Sequence, residues 1–393
     1  MSRTVLDPQS LERALAVRDL TDPAQGPHAM QELLSEAERA LTAAWSCPAR
    51  AHREHPIVSV EDNYDRLLYP PDGAARDVRY TRYVTETTLL RTQTSAMVPG
   101  VLRELAREPL PDVLLVCPGL VYRRDAIDRL HTGEPHQVDL WRVRTGAPLA
   151  RRDLCEMIRR VAGAALPGRE VRWTSSAHPY TLDGLQIDVA TDEGWVEIGE
   201  CGLAHPLILK WAGLDISRWS GLAMGLGLDR ILMLRKGLPD IRLLRSADPR
   251  VASQMRDLRP YRPVSSRPAV VRDVSIAVPA DDTLEDLGDR VRTALGVDAG
   301  VVEEVGILAE APLDALPAEA RERLGIGPGQ RNVLVRVVLR ALDRTLTHAE
   351  ANLLRDRIYV ALHRGRAGQW ASSALQEVGQ RGEPVRQSAR NEL

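Results

Sequence analysis

A run of small residues that ends on an arginine is the stretch of this chain best suited to ligand chemistry. Positions 220–230 read Ser-Gly-Leu-Ala-Met-Gly-Leu-Gly-Leu-Asp-Arg. Glycine allows a backbone to approach a flat ligand closely. The planar guanidinium of Arg230 can stack on a ring or hold phosphate oxygens through paired hydrogen bonds. An ordinary strand-to-helix connection has the same composition, so the run indicates a ligand site only in combination with other motifs.

Polar residues upstream of this run have the chemistry of a second binding region. Gln93 and Ser95 lie just before a predicted helix, where an amide and a hydroxyl can hold a ligand's ammonium group or, alternatively, cap the helix. Gln137 and Asp139 alternate along a predicted strand and therefore share one face. A hairpin with a solvent-exposed polar face is the alternative for this segment. The charged side chains between the two pairs include Arg123, Asp125 and His131.

Short strands and helices are predicted to position these side chains. Apolar runs bounded by Gly and Pro predict strands, and apolar residues at helical spacing predict helices. The predicted strands are 111–117, 120–125, 136–143, 171–173, 185–190 and 194–198, with turns at 118–119 and 199–202. The predicted helices are 96–107, 149–166 and 207–211. The strand, charged loop and strand between 120 and 143 indicate an antiparallel unit.

Composition is typical of a globular protein of two or three domains. The chain has 393 residues, 44% apolar and 27% charged, and a formal net charge of -2. No overall basic field therefore indicates a nucleic-acid partner, although a local basic face is still able to bind one. The four cysteines form no Cys-x-x-Cys pair and indicate neither a zinc site nor a disulfide framework. The N-terminus lacks a signal-peptide pattern and no apolar run suits a bilayer, so we expect a cytoplasmic protein.

The two ends of the chain differ from its centre. Apolar residues at helical spacing predict an N-terminal helical arm at 1–50. The central domain is predicted at 51–258. The C-terminal domain is predicted at 259–366, with the order strand, helix, strand, strand, helix of a split two-layer α/β sandwich. The polar segment 367–393 is predicted to be disordered.

Several spaced motifs, in one order, resemble those of a known family. They are Leu90-Arg91-Thr92-x-Thr94-Ser95, Val121-Tyr122-Arg123-x-Asp125, His136-Gln137-x-Asp139, Trp195-x-Glu197-Ile198-Gly199-x-x-Gly202-x-x-His205-Pro206 and Gly221-x-Ala223-x-Gly225-x-Gly227-x-Asp229-Arg230. Together they make the chain, over most of its length, resemble class II aminoacyl-tRNA synthetases, specifically phenylalanyl-tRNA synthetases of the alpha-subunit or single-chain organellar kind. The resemblance implies an α/β (α+β) fold: an antiparallel sheet flanked by helices, plus a C-terminal ferredoxin-like α/β sandwich that binds the anticodon.

The same resemblance implies an ATP-dependent ligase that esterifies phenylalanine, or a close aromatic relative, to tRNA, with Mg²⁺ as cofactor. Such an enzyme needs no protein nucleophile, because it holds anions in line and stabilises charge that develops on phosphorus. Arg123 would contact the α-phosphate and the substrate carboxylate. Arg230 would stack on adenine and face the γ-phosphate. Both are the implied catalytic residues.

The remaining implied contacts fall into three sets. The nucleotide set adds Asp125, His131 and Glu197, of which Glu197 would also hold magnesium through its hard oxygen atoms. The amino-acid set is Gln93, Ser95, Gln137, Asp139, His178, Tyr180 and Ala223. The tRNA set is Arg272, Arg336, Arg340 and Arg344, for which a solvated strand face is the alternative.

The amino-acid set departs from the family pattern. Asp139 stands where the family usually has Glu, and Gln93 where it usually has His. His178-Pro179-Tyr180 replaces Phe-Pro-Phe, and the whole chain contains no Phe. Two explanations remain open: the pocket is retuned for a different amino acid, or Phe has been removed everywhere and the pocket changes are a consequence.

Two other functions are compatible with the sequence. One is a synthetase paralog that adenylates a non-standard amino acid for a biosynthetic pathway, which Gln93, His178 and Tyr180 motivate. The other is a non-catalytic regulator that binds tRNA, against which the presence of Arg123, Gln137 and Arg230 argues. Both a monomer and a homodimer are compatible with a chain that carries both modules.

Overall fold

The computed structural model describes residues 5–76, 81–124, 126–264 and 267–368. The chain divides into two compact units. The first comprises Met1–Arg124 and Arg129–Val264, and the second comprises Asp125–Asp128 and Ser265–Leu393. None of the described helices is long and apolar enough to cross a bilayer.

The first unit is built on a large sheet with helices around it. Its described strands are β1 (Ala49–Ala51), β2 (Ile57–Ser59), β3 (Thr88–Leu90), β4 (Asp112–Leu120), β5 (His136–Thr145), β6 (Val171–Ser175), β7 (Thr181–Thr191), β8 (Gly194–Ala204) and β9 (Trp219–Gly227). Its described α-helices are α1 (Pro8–Leu15), α2 (Ala29–Trp45), α3 (Val60–Asn63), α4 (Val98–Arg107), α5 (Arg151–Ala165), α6 (Pro206–Trp211), α7 (Leu228–Lys236) and α8 (Pro249–Ala252).

Within these described residues the main sheet has seven strands in the order β1-β4-β5-β9-β8-β7-β6. The short edge strand β1 pairs parallel with β4, and the remaining pairs are antiparallel. One apolar cluster joins α4 and α6 to the face of the sheet that carries Trp141 and Ala223, both with no exposed surface. This packing fixes the sheet face on which the candidate site lies.

The sequence predicts a turn at Pro118-Gly119 and a new strand from 120, and this prediction is wrong. Strand β4 runs through both residues to Leu120, and 121–124 are irregular. Proline is tolerated because β1 pairs only with Leu114–Val116, so no strand on that side requires an N–H from Pro118. Arg123 therefore lies on an irregular segment just beyond a central strand.

The predicted tight turn at 199–202 is also wrong, because β8 continues through it to Ala204. Both glycines of this segment are required by close packing and not by a turn. A Cβ at Gly199 would collide with the carbonyl of Gly225, and a Cβ at Gly202 would lie 2.5 Å from that of Thr181. Glu200, between them, is consequently a strand residue with a defined side-chain direction.

We expect Gly199→Ala to lower the free energy of unfolding of the first unit by about 1–3 kcal/mol, because the added methyl group must displace backbone. Gly163→Ala is the matched control. It lies inside α5, where an added Cβ would meet nothing within 4 Å, and alanine favours a helix over glycine by about 0.5–1 kcal/mol. Urea unfolding followed by tryptophan fluorescence measures both variants. Equal stability of Gly199→Ala and the wild type would contradict the packing argument.

The second unit is a two-layer sandwich. Its described elements are β10 (Val270–Pro279), α9 (Leu284–Leu295), β11 (Val302–Pro312), α10 (Ala318–Leu324), β12 (Gln330–Leu339) and α11 (His348–Leu362). The antiparallel sheet of this described part has the order β10-β12-β11. Buried residues such as Ile276, Val335 and Ile358 join the sheet to its helices.

The fold class predicted from the sequence is confirmed: a mainly antiparallel sheet flanked by helices forms the first unit, and a smaller α/β sandwich follows. The domain boundaries proposed at 50, 258 and 366 stay predictions. The tail predicted to be disordered lies, from 369 onward, outside the described residues.

Candidate active site

Strand pairing brings small and polar residues of several strands to one face of the main sheet. Across the sheet, Gln186, Glu200, Gly225 and Asp139 occupy successive partner positions. Directly paired residues project to the same side, as do residues two apart along a strand. The neighbouring row contains Gly227 beside Gln137. An added Cβ at Gly227 would meet only the carbonyl of Ile198, at 3.9 Å, while the hydroxyl of Tyr180 lies over Gly225. This part of the sheet therefore forms a glycine floor that a flat ligand can approach at Gly227.

The glycine run forms β9, and α7 begins directly after it with Gly227 as the N-cap residue. Arg230 is therefore in the first turn of α7. Its Nη1 donates to the carbonyl oxygen of Glu197 at 2.8 Å, and its Nη2 lies 3.1 Å from Nε2 of His131. The strand-to-helix connection that the sequence offers as one alternative is present, and the ligand surface in the same residues stays a prediction.

Arg123 is held at the end of the same sheet. Its Nε donates to the carbonyl oxygen of Thr92 at 2.9 Å. Its backbone N–H donates to the carbonyl oxygen of Gly133 at 3.0 Å, and its own carbonyl accepts from Arg82 at 3.2 Å. These bonds fix the base of the side chain while the guanidinium remains half-buried.

The charges of both arginines affect the pKa of Glu197. Burial raises the pKa of the Glu197 carboxyl, and the negative charge of Glu200 raises it further. Arg230 and, more weakly, Arg123 act in the opposite direction on the same pKa. Arg123, Arg230 and the two carboxylates thus share one charged region. The remaining predicted nucleotide contact, Asp125, lies outside the described residues.

A magnesium ion fits this region only together with other ligands. Among the described residues, no three His, Cys, Asp or Glu side chains form a metal cluster. Mg²⁺ in nucleotide sites usually binds one or two protein carboxylates and takes its other ligands from phosphate and water. Glu197, whose carboxylate is repelled by that of Glu200, has the chemistry for that role.

The carboxylate of Asp139 is already well supplied with hydrogen bonds. The residue is 2% exposed. Its oxygens accept from Thr94 Oγ1 at 2.7 Å, Ser95 Oγ at 3.0 Å and Trp141 Nε1 at 3.1 Å. Burial raises the pKa of Asp139, and these three donors lower it. The role of Asp139 in holding a ligand ammonium stays a prediction, and the structure places its carboxylate deep in the protein.

Aromatic side chains surround this carboxylate. Tyr180 is 7% exposed, stacks on Trp141 with centroids 6.2 Å apart, and lies 6.3 Å from the ring of Tyr69. Burial raises the pKa of Tyr180 well above its ordinary value, while a hydrogen bond with Ser95 lowers it. The hydroxyl of Tyr69 donates to Gln93 Oε1 at 2.7 Å. Ala223 is fully buried in the same cluster.

His178 takes part in a polar contact in addition to the ring cluster. Its ring centroid lies 6.4 Å from that of Tyr180. Its Nε2 lies 2.9 Å from Oε1 of Glu200 and 3.1 Å from Oγ of Ser176. The structure therefore brings His178, Tyr180, Gln93, Ser95 and Asp139 together, with Tyr69 and Glu200 among them.

Sequence patterns predict no site role for three residues of this region. Tyr69 lies in a segment that reads as a turn, and Glu200 in one that also reads as a turn. The third is Asp229, which the motif contains without an assigned role. A strand assignment at 199–202 would be the signal for Glu200, because alternation then places it on the face of Gly202 and Gly225.

Asp229 anchors the start of α7 to β5. It is 4% exposed, and it accepts hydrogen bonds from the backbone N–H and from Nδ1 of His136, the latter at 2.9 Å. Nε2 of His136 accepts from the N–H of Leu20 at 3.0 Å and from Arg245 at 3.1 Å. Nδ1 must carry the proton in this arrangement. The network is buried and positions the helix that carries Arg230.

The four predicted tRNA contacts lie in the second unit, and each has protein partners. The pairs are Arg272 with Asn352 and His348, Arg336 with Asp273, Arg340 with Glu303, and Arg344 with Glu350. The exposed Arg336–Asp273 pair is bidentate, with N–O distances of 2.8 and 2.7 Å. The positive charge of these side chains is thus partly balanced within the sandwich.

The family is decided by a match over more than half of the chain. The model of the family described as tRNA synthetases class II core domain (F) matches residues 24–255. The chain belongs to this family. The match contains every described strand of the main sheet and both Arg123 and Arg230.

Relatives of this chain include alpha subunits and a chloroplastic/mitochondrial form of one named enzyme. It is 35% identical over 238 residues to the phenylalanine–tRNA ligase alpha subunit of Prochlorococcus marinus, with 60% of this chain and 69% of the relative covered. It is 29% identical over 317 residues to the chloroplastic/mitochondrial phenylalanine–tRNA ligase of Arabidopsis thaliana, with 77% and 68% covered.

Other relatives are covered less completely. The chain spans 57% and 58% of the length of two further alpha subunits, from Gemmatimonas aurantiaca and Staphylococcus carnosus. Among solved structures, it resembles the pyrrolysyl-tRNA synthetase of Desulfitobacterium hafniense with a TM-score of 0.42 and 23% identity, over 61% of this chain and 78% of that one.

Proposed function

We propose that the chain is a phenylalanine–tRNA ligase, which activates phenylalanine or a close aromatic analogue with ATP and transfers it to tRNA. One observation carries the proposal: in a class II synthetase core, Arg230 lies in the first turn of the helix that follows the glycine strand β9, and Arg123 follows β4, two strands away in the same sheet. The names of the relatives in both alpha-subunit and organellar forms support the same activity.

In the first step, a carboxylate oxygen of the amino acid bonds to the α-phosphorus of ATP while the bond to pyrophosphate breaks. Arg123 and Arg230 would hold the phosphate oxygens and stabilise the charge that develops on them. Mg²⁺ would neutralise charge on the phosphates, with Glu197 as a protein ligand. In the second step, a ribose hydroxyl of tRNA takes the acyl group and AMP leaves.

The amino-acid ammonium would be held by amide, hydroxyl and carboxylate acceptors. Gln137 projects from β5 on the same face as Asp139, two residues away. Gln93 is fixed at both ends of its amide, since Oε1 accepts from Tyr69 and Nε2 donates to the carbonyl of Asn63 at 3.1 Å. The ring of the substrate would lie beside Tyr180 and Ala223.

A screen of amino-acid-dependent ATP–pyrophosphate exchange tests this function. We expect exchange with phenylalanine or with a ring-substituted analogue and none with small aliphatic or acidic amino acids. Best exchange with an unrelated non-standard amino acid would favour the biosynthetic paralog. Binding of tRNA without exchange for any amino acid would favour the regulator.

We propose that the second unit binds tRNA through its arginines. We therefore expect Arg336→Ala to weaken tRNA binding. Loss of one phosphate contact should also make the slope of log affinity against log salt shallower by about one. Asp273→Ala should have the opposite effect, because it releases the Arg336 guanidinium from its pair. Filter binding at several salt concentrations measures both.

Arg323→Ala, on the exposed side of α10, is the control of equal charge. If Arg336→Ala and Arg323→Ala have the same small effect, Arg336 is not a tRNA contact.

We also propose a cytoplasmic location. The four cysteines are free, and three of them are buried, which is ordinary for proteins of a reducing compartment. The chain could work as a monomer or a homodimer.

A further inference from the structure

Glu200 is a carboxylate on the sheet row of the candidate site to which no role has been assigned. Glu200 projects from β8 between Gln186 on β7 and Gly225 on β9. The side chain is 39% exposed, so a ligand in solvent can reach it. It is not among the nucleotide or amino-acid contacts that the family resemblance implies.

Glu200 contacts His178 at the edge of the aromatic cluster. Its Oε1 lies 2.9 Å from Nε2 of His178, whose side chain is 7% exposed. The charge of Glu200 contributes to the raised pKa values of both Tyr69 and Tyr180, so it acts on both rings. An ionised carboxylate accepts at about four lone-pair positions, and the contact with His178 leaves acceptor capacity for a ligand.

The spacing of Glu200 suits the far end of an aromatic amino acid. Glu200 and Asp139 occupy positions on the same row, with Gly225 between them and the hydroxyl of Tyr180 over Gly225. Adjacent strands are about 4.8 Å apart, so these positions are about 10 Å apart. A ligand whose ammonium lies near Asp139 and Gln137 can therefore reach Glu200 with a substituent on its ring.

An unsubstituted phenyl ring is a poor match for this position. It would remove water from the Glu200 carboxylate without returning a hydrogen bond, and the desolvation of a charged acceptor is costly. The removal of Phe from the chain does not account for a carboxylate at 200. The His178–Glu200 contact therefore favours a retuned pocket over the alternative that the ring-pocket changes merely follow from the loss of Phe.

We propose that the aromatic subsite selects a ring that carries a hydrogen-bond donor, such as a ring hydroxyl, and that Glu200 accepts this hydrogen bond while His178 positions the Glu200 carboxylate. The proposal rests on the amino-acid activation proposed above and specifies its substrate class. Glu200 becomes a specificity-determining residue of that reaction.

ATP–pyrophosphate exchange of the full chain tests the proposal with four substrates: phenylalanine, tyrosine, meta-tyrosine and O-methyltyrosine. O-methyltyrosine is the matched substrate, because it has the ring oxygen without a proton to donate. A hydrogen bond to a charged group corresponds to a preference of about 10–100-fold. We expect kcat/KM for the better hydroxylated substrate to exceed that for phenylalanine by such a factor, and O-methyltyrosine to show no gain.

Variants test whether Glu200 causes the preference for a hydroxylated substrate. Glu200→Ala should reduce the ratio of hydroxylated substrate to phenylalanine to about one, and Glu200→Gln, which keeps the size, should also lower it. Glu156→Ala, on the outer face of α5, should leave the ratio unchanged. Phenylalanine as the best substrate, with the ratio unaffected by Glu200→Ala, would overturn the inference and leave the ligase function intact. Absence of exchange with every amino acid would overturn the ligase function itself.

Discussion

Arg230→Ala should reduce amino-acid-dependent ATP–pyrophosphate exchange by about 10²–10³-fold, the loss expected when one preorganised donor to developing charge is removed. In the structure this guanidinium is fixed by the carbonyl of Glu197 and by His131. It lies in the first turn of α7, next to the glycine floor. Its loss should affect catalysis and ATP use far more than folding, because the side chain is only half-buried.

Arg160→Ala is the matched control for this variant. Arg160 lies on α5 and pairs with Glu156 one turn earlier, with both side chains substantially exposed. We expect the control to retain full exchange. Circular dichroism should show both variants folded. Exchange of Arg230→Ala at the wild-type rate would remove Arg230 from the nucleotide site.

Asp229→Ala should lower the free energy of unfolding of the first unit by about 2–6 kcal/mol, because two buried donors lose their acceptor at about 1–3 kcal/mol each. Removal of the carboxylate leaves the Nδ1–H and the backbone N–H of His136 without an acceptor in a buried region. The effect should extend to Arg245, which donates to the other ring nitrogen of His136. Activity should fall with it, because the same network anchors the helix of Arg230.

Tryptophan fluorescence during urea unfolding measures this loss, since six of the seven tryptophans belong to the first unit. Asp192→Ala, exposed in the β7–β8 turn, is the control and should change stability by no more than about 0.5 kcal/mol. A common unfolding midpoint for Asp229→Ala and Asp192→Ala would contradict the anchoring role.

The stability that Asp229 contributes should depend on pH. Burial acts to raise the pKa of Asp229, but the neighbouring His136 and its hydrogen bonds, with Arg245, hold it below the ordinary value. A lowered folded-state pKa means that the contribution is fully present above the unfolded pKa, about 4, and is lost as the pH falls through the folded pKa. The difference between the wild type and Asp229→Ala should therefore shrink only in acid.

Local patterns in the sequence predict much of this site. The small residues of 220–227 require close backbone approach, and Arg230 follows them at the start of a helix, as the structure has it. Alternation places Gln137 and Asp139 on one face without knowledge of their partners. What the sequence leaves out is register, because pairing between distant strands decides that Gly225 lies between Asp139 and Glu200.

Long-range partners explain the other differences. Gly199 and Gly202 have the composition of a turn, and only the strands packed on them reveal a continuous β8. Arg336 has the composition of a basic face, and only its pairing with Asp273, 63 residues away, shows that its charge is balanced. In each case a local pattern has two physical solutions, and tertiary contacts choose between them.

A crystal structure of the chain with ATP, Mg²⁺ and an aromatic amino acid tests the central claim most directly. The account predicts that adenine lies on the glycine floor against Arg230, that Arg123 contacts the α-phosphate, and that the amino-acid ring lies between Tyr180 and Glu200. A nucleotide bound elsewhere on the first unit, with Arg123 and Arg230 both without contact to phosphate, would contradict it.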